Sequence, residues 1–285
     1  MGAEATLEAQ MREFGLEEQD GKTKGYGGFR WDSPEQLAAV KAHRKLAWDW
    51  ATSMGLSVFK QGLNLTKVSM PVAFFEDRSF LERMAENWAY LDLLKAAARE
   101  KDPVERMRCV VAFAIAGLVR QCSHGKPFNP LLGETLQAEL DGVQLFAEQI
   151  SHHPPISSWQ MFDKDGLFRF QGHGEWRAKT YANSVEGVQK GVNRVTFKVD
   201  GSSIEWELPG MTLYGIIMGD RYMKYQGTMT FRDQQNGLQA DIEIDPPREG
   251  GLLGAASRWW SGARLAPKQA PLRPAAASGG RPLTG

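Results

Sequence analysis

GVQLFAEQISHHPPISSWQMFDKDG, residues 142–166, decides how the chain is read. Val143, Leu145 and Ala147 alternate with Gln144, Phe146 and Glu148. A period of two over a short run means a strand of an antiparallel sheet with one buried face. Pro154 and Pro155 end that strand, because neither donates a ladder hydrogen bond. Ser151, His152 and His153 are left at the strand end in a stiff segment. Lys164-Asp165-Gly166 then signals a turn.

The same alternation recurs downstream. Val195, Phe197 and Val199 are separated by Thr196 and Lys198, Ile204, Trp206 and Leu208 by glutamates, and Leu238, Ala240, Ile242 and Ile244 by polar residues. Asp200-Gly201 and Asn236-Gly237 mark the turns between runs. Upstream of Gly125 the spacing is helical. Ser33 caps, Pro34 fits the first turn, and Gln36 completes a box. Leu37, Val40, Arg44, Trp48 and Ala51 trace one face of that helix. A second helix is predicted over 79–99, with Ser79 and Glu82 as its capping box and Lys95 snorkelling. A third starts at Asp102-Pro103 and runs through CVVAFAIAGLV, residues 109–119. Apolar on every side, it is expected to be central and enclosed. Helices first and a long meander after predict a mainly β fold with N-terminal helices (α+β). The expected form is a curved sheet or incomplete antiparallel β-barrel, with helices packed at one end or inside.

Composition narrows the function classes. The 285 residues carry 34 basic and 34 acidic side chains, 42% are hydrophobic, and there are two cysteines, Cys109 and Cys122. This is ordinary globular composition in a reducing compartment, without a disulfide framework. The longest apolar run is too short to span a bilayer, which needs ~20 residues. Residues 246–285 hold six basic residues and one acidic one, with six prolines and seven glycines, and are expected to be a mostly disordered tail. Within that tail, Leu252-Leu253 to Trp259-Trp260 with Arg258 and Arg264 is either a membrane-surface patch or an unstructured extension. Residues 1–30 are expected to be a flexible N-terminus or lid, and 31–245 the folded domain.

Two constellations carry chemistry. At the strand end, His152 and His153 can donate to phosphate oxygens, and a dianion beside them favours the protonated ring. In GKPFNPLLGE, residues 125–134, Lys126 offers a cation and Asn129 an amide. Phe128, Leu131 and Leu132 read as core anchors, and Glu134 as a partner for Lys126 or an arginine. Together these segments could surround one phosphorylated headgroup, or each could be turn and core packing alone. A metal site could draw on Cys122, His124, His152 and His153, but only Cys122-x-His124 has close spacing. His43 fits a helix face, and His173, between glycines, a turn. Neither a nucleophile elbow, a Walker loop nor GxGxxG occurs, so no catalytic residue, cofactor or resident metal is expected. Arg221-Tyr222 and Lys224-Tyr225 are explained by strand position, so no nucleic-acid partner is expected.

EQISHHPPISSW (148–159) and KPFNPLLGET (126–135) resemble two signature blocks of the oxysterol-binding protein family. MPVAFFEDRSFLERMAENWAYLDLL (70–94), DPVERMRCVVAFAIAGLV (102–119) and NSVEGVQKG (183–191) agree, and the similarity runs from about 45 to 245. The resemblance implies a non-enzymatic lipid-binding domain: an incomplete barrel around a tunnel that holds one sterol or phospholipid, beneath an N-terminal lid. It implies that many members also bind phosphatidylinositol 4-phosphate and exchange it for the other lipid between membranes. By matched position, Lys126, Asn129, His152 and His153 fall on the family's headgroup-binding residues. A cytoplasmic protein with transient peripheral association to organelle membranes follows. The chain departs from the family at Glu76-Asp77-Arg78-Ser79, where EPLS is usual, and at Gly215, where an asparagine is usual. The family's later region, which supplies a lysine, a glutamate and an arginine to the head site, has no match here. A phosphoinositide-sensing module without efficient transfer is the alternative function, and a metal-dependent hydrolase a more distant one.

Overall fold

The computed structural model describes residues 28–31, 33–54, 63–64, 70–123, 125–181, 183–244 and 264–265. The expected lid falls on residues 1–30, of which only the last three are described. The Leu252–Trp260 patch and most of the expected tail lie outside the described residues.

Caps and turns written into the sequence start the elements. Strand β1 (Phe29–Arg30) leads into helix α1 (Pro34–Met54). There the Gln36 amide donates to Ser33 Oγ at 3.2 Å, and Ser33 N donates to Gln36 Oε1 at 3.1 Å. After β2 (Leu63–Asn64) and β3 (Phe75–Ser79) comes α2 (Phe80–Ala85), where Ser79 N donates to Glu82 Oε2 at 3.0 Å. The single helix expected over 79–99 is interrupted: a 3₁₀ turn at Glu86–Trp88 separates α2 from α3 (Leu91–Arg99). The break lets Trp88 pack against both Trp159 and Phe170, with ring centroids at 5.2 and 5.6 Å. Helix α4 (Pro103–Leu118) begins with Val104 N donating to Asp102 Oδ1 at 2.9 Å. It is not enclosed on every side, since Ile115 is 40% exposed and Val119 just beyond it 49%. Periodicity could not reveal this, because the solvent face of α4 is itself apolar.

The strands follow: β4 (Lys126–Phe128), β5 (Thr135–Leu140), β6 (Val143–His152), β7 (Pro155–Asp163), β8 (Phe168–Thr180), β9 (Ser184–Lys190), β10 (Asn193–Phe197), β11 (Ser203–Trp206), β12 (Gly210–Tyr214), β13 (Tyr222–Asp233), β14 (Leu238–Ile244) and β15 (Arg264–Leu265). β3 and β4 form a small parallel pair, Phe75 opposite Lys126 and Ser79 opposite Phe128. All other strands join one antiparallel sheet. β9 and β10 both lie along β8 in one unbroken register, from Thr180 opposite Val185 to Phe168 opposite Phe197. They act as one long strand bent at Gly191. β11 and β12 likewise pair in succession with β10, β9 and β13. The result is a simple meander, with β5 at one edge and β14, β15 and β1 at the other. Val199 is 64% exposed and lies past the end of β10, so the alternation predicted there stops at Phe197.

Gly191 has φ +142°, and a Cβ there would sit 2.1 Å from the His173 carbonyl oxygen. Gly191→Ala is therefore expected to cost ~1–3 kcal/mol, read as a lower urea midpoint.

The inner face of β8 divides the interior. Phe168 and Phe170, at its start, are buried against the helices. Phe113 of α4 meets Phe170 at 5.9 Å and Trp206 at 6.4 Å, and Trp206 stacks between Phe170 and Phe231 at 5.6 Å each. Arg106 fixes the base of α4: it is 1% exposed, donates to Asp200 Oδ2 at 2.6 Å and to Ser202 Oγ at 2.8 Å, and lies over the Phe197 ring. Past Gly172 and Gly174 the same face of β8 presents Trp176, Ala178 and Thr180 to a cavity.

Candidate functional site

Period two builds the cavity wall. Trp176, Ala178 and Thr180 of β8, Val185 and Gly187 of β9, and Met211 and Leu213 of β12 face one space of about 250 Å³. Helix α1 adds Trp50 and Ala47, Phe74 contributes from the segment before β3, and Phe80 from the start of α2. Small-molecule pockets run ~300–1,000 Å³, and the flexible methionines Met70, Met211 and Met223 in this wall can yield to a larger occupant. Phe80 meets Trp176 edge to face at 4.4 Å, where the helix-filled end gives way to the cavity.

Cations edge this apolar space. Lys126 lines it from β4, with Nζ 4.5 Å from the centre of the Phe75 ring. Burial lowers the Lys126 pKa, because the ammonium has lost water, and among the described residues no carboxylate stands within 4 Å of it. Such a group gains most from an incoming anion. Arg83, 7% exposed, is held by Glu86 at 3.0 Å and Glu76 at 3.6 Å, in a cluster that includes Arg78. Arg221, also 7% exposed, donates from Nε to the Gly215 carbonyl at 2.9 Å and from Nη2 to that of Ile216 at 3.0 Å. Burial, then the neighbouring Arg44 charge, pulls its pKa down to about 10. Sequence reading missed Arg83 and Arg221. Both occur in ordinary charged contexts, and only the fold turns them toward the cavity.

The histidines stand at the end of the β6–β7 hairpin. Its register slips between Gln149 and Ser151, after which Ser151 lies opposite Ile156 and His152 opposite Pro155. Such a bulge re-aims the side chains that follow it. The His152 and His153 rings meet edge to face at 4.6 Å. His152 Nδ1 lies 3.1 Å from the Pro130 carbonyl oxygen. A carbonyl only accepts, so Nδ1 carries a proton and Nε2 is the nitrogen left for another partner. Asn129 Nδ2 is 3.5 Å from the same Nδ1, a contact between two donors and not a bond. Asn129 Oδ1 accepts weakly from Gln149 Nε2 at 3.4 Å, and buried Gln149 accepts from Ser157 Oγ at 2.6 Å.

The structure thus brings Asn129, His152 and His153 into contact. Lys126 sits three residues before Asn129, at the cavity edge. Three expectations fail nearby. Phe128, Leu131 and Leu132 are 42%, 72% and 67% exposed and are not core anchors. Glu134 binds neither Lys126 nor an arginine; its carboxylate accepts from Leu131 N at 2.9 Å. His173 lies inside β8, not in a turn. Among the described residues no group of three or more metal-ligating side chains is gathered, and His124 lies outside them. Burial pushes the Cys122 thiol up to about 11, away from the thiolate a metal would need. No helix among the described residues is long and apolar enough to cross a membrane. Gly215, where the resembled family block has asparagine, has φ +69°, and a Cβ there would lie 2.2 Å from the Asp220 carbonyl oxygen.

The family model described as Oxysterol-binding protein matches residues 55–255. Oxysterol-binding protein 9 of Dictyostelium discoideum is 42% identical over 209 residues, which cover 73% of this chain and 48% of that protein. Human oxysterol-binding protein-related protein 1 is 36% identical over 188 residues, 65% of this chain and 20% of that protein. This chain therefore spans about half the length of the first relative and a fifth of the second. Among solved structures, the Osh1 ORD domain in complex with ergosterol superposes with a TM-score of 0.63 at 26% identity, covering 85% of this chain and 56% of that one. The Osh3 ORD in complex with PI(4)P from Saccharomyces cerevisiae gives 0.57 at 29% identity, covering 65% and 50%.

Proposed function

Since the chain belongs to the oxysterol-binding protein family, we propose that it binds one sterol or phospholipid molecule and also phosphatidylinositol 4-phosphate, and moves lipid between membranes without a chemical step. The observation that carries this reading is the apolar cavity with the desolvated Lys126 at its edge. Lipid-bound relatives support it: the Osh1 domain holds ergosterol and the Osh3 domain PI(4)P. Apolar groups that enter the cavity leave water, at about 0.8 kcal/mol per CH₂. The polar head stays at the rim, where Lys126, the Asn129 amide and the His152 and His153 rings are its partners. A phosphomonoester dianion there opposes the burial shift on Lys126. Residues 31–245 form the binding unit, and the protein works from the cytoplasm with transient contact to organelle membranes.

The test is mass spectrometry of lipid that co-purifies with the chain and with Ala178→Trp. Ala178 lines the cavity opposite Gly187, so an indole there occupies the space an apolar ligand needs. The unchanged chain is expected to carry lipid at close to one molecule per chain, and Ala178→Trp at least about tenfold less. A well-folded sample that carries no lipid and extracts none from liposomes removes the reading.

A further inference from the structure

The turn after Asn129 displays two leucines that no other described residue covers. Leu131 is 72% exposed and Leu132 67%, while Pro130 beside them is buried. The turn is held from both sides. Glu134 N donates to the Leu131 carbonyl at 3.0 Å, Leu131 N to the Glu134 carboxylate at 2.9 Å, and Gly133 N to the Gln149 carbonyl at 2.9 Å. Gly133, at φ +80°, supplies the left-handed position that the turn requires. Rigid and pinned to β6, the leucines cannot fold back onto the core. The Glu134 carboxylate is turned back onto the turn's own backbone, where it accepts from Leu131 N.

The same segment holds the polar site. The Pro130 carbonyl fixes the His152 ring, and Asn129 precedes it directly. An apolar tip a few residues from phosphate-binding groups matches the depth profile of a bilayer, where acyl carbon lies ~5–10 Å from the headgroup plane. A protein partner fits less well, since a stable interface needs ~800 Å² per side and a tip of this size offers far less. We propose that the Leu131–Leu132 turn inserts into the lipid surface and anchors the chain while Asn129, His152 and His153 engage a phosphorylated head. The proposal deepens the reading given above and rests on it for the identity of the head.

Two measurements on the full chain separate the two ideas. Leu132→Cys labelled with an environment-sensitive dye is mixed with phosphatidylcholine vesicles that contain phosphatidylinositol 4-phosphate and brominated acyl chains. Quenching of the dye is expected. Val199→Cys is the control: Val199 is 64% exposed and follows Phe197, which pairs with Phe168 at the start of β8, beside the end of the β6–β7 hairpin opposite to His152. No quenching at Leu132, or equal quenching at both positions, overturns the proposal whatever the head site does. In the second measurement, Leu131→Ser with Leu132→Ser is expected to weaken binding to the same vesicles about tenfold or more. Binding of a water-soluble short-chain phosphatidylinositol 4-phosphate stays unchanged. Loss of both means that the turn acts through the head site, and also overturns the proposal. If the parent chain fails to bind the soluble lipid, the head assignment falls, while dye quenching still decides the role of the turn.

Discussion

Replacing His152 and His153 together by alanine is expected to weaken binding of phosphatidylinositol 4-phosphate about a hundredfold and to leave the melting temperature and sterol uptake unchanged. A hydrogen bond to a charged group contributes ~1.5–3 kcal/mol, so two lost at the low end amount to ~3 kcal/mol, a factor of about a hundred. Folding is spared because the rings sit at a hairpin end, with His153 exposed and His152 half-buried and bonded to the Pro130 carbonyl. Sterol carries no phosphate and on the proposed reading is held by the apolar wall, so its uptake is the internal control. Both quantities are read by extraction of labelled lipid from liposomes and by a thermal melt. Undiminished phosphoinositide extraction would remove the histidines from the head site, and a joint fall in both lipids would mean a damaged fold.

Trp206→Ala is expected to be the most destabilising single change, at ~3–5 kcal/mol. The indole is 3% exposed and stacks on Phe170 and Phe231, with the edge of Phe113 against it. It therefore joins β8, β13 and α4 at one point. Set against ~5–15 kcal/mol for a typical domain, this is a large share of the total. Phe146→Ala, at a 41% exposed position on the outer face, serves as the comparison and should stay near ~1 kcal/mol. Urea unfolding followed by circular dichroism measures both. Equal losses for the two variants would refute the picture of helices locked into one end of the sheet by stacked rings.

What the sequence disclosed was local. Alternation in β6 gave its buried and exposed sides correctly, from Val143 to Glu148, because the period of a strand is a property of consecutive residues. The caps at Ser33, Ser79 and Asp102 were legible for the same reason. Errors arose where the outcome depends on what packs from elsewhere. Leu131 and Leu132 look like core by composition, yet the turn turns them outward. Ile115 and Val119 belong to an apolar helix face that no other described element covers. A tunnel was implied by the family resemblance, but its lining could not be read from the pattern. Its wall joins every second residue of β8, β9 and β12, and only the register between those strands sets Ala178 opposite Gly187 or Met211 opposite Gly187. Arg83 and Arg221 became visible as site residues only through that assembly. The motifs singled out Asn129, His152 and His153, which the structure brings into contact, because those residues lie close in the chain to the turn and hairpin that hold them.

One strand, β8, lines both the helix-packed end and the cavity end of the interior, and a single rigid ladder runs the length of it. On the proposed reading, an apolar guest in the cavity extends the hydrophobic contacts that the ring stack makes at the other end. Occupancy and thermal endurance are then the same quantity seen twice: an emptied protein melts earlier and exchanges its β9 and β12 amide protons faster than a filled one. The moment of unloading is also the moment of greatest fragility, which ties the safe lifetime of the empty form to how soon the next guest arrives.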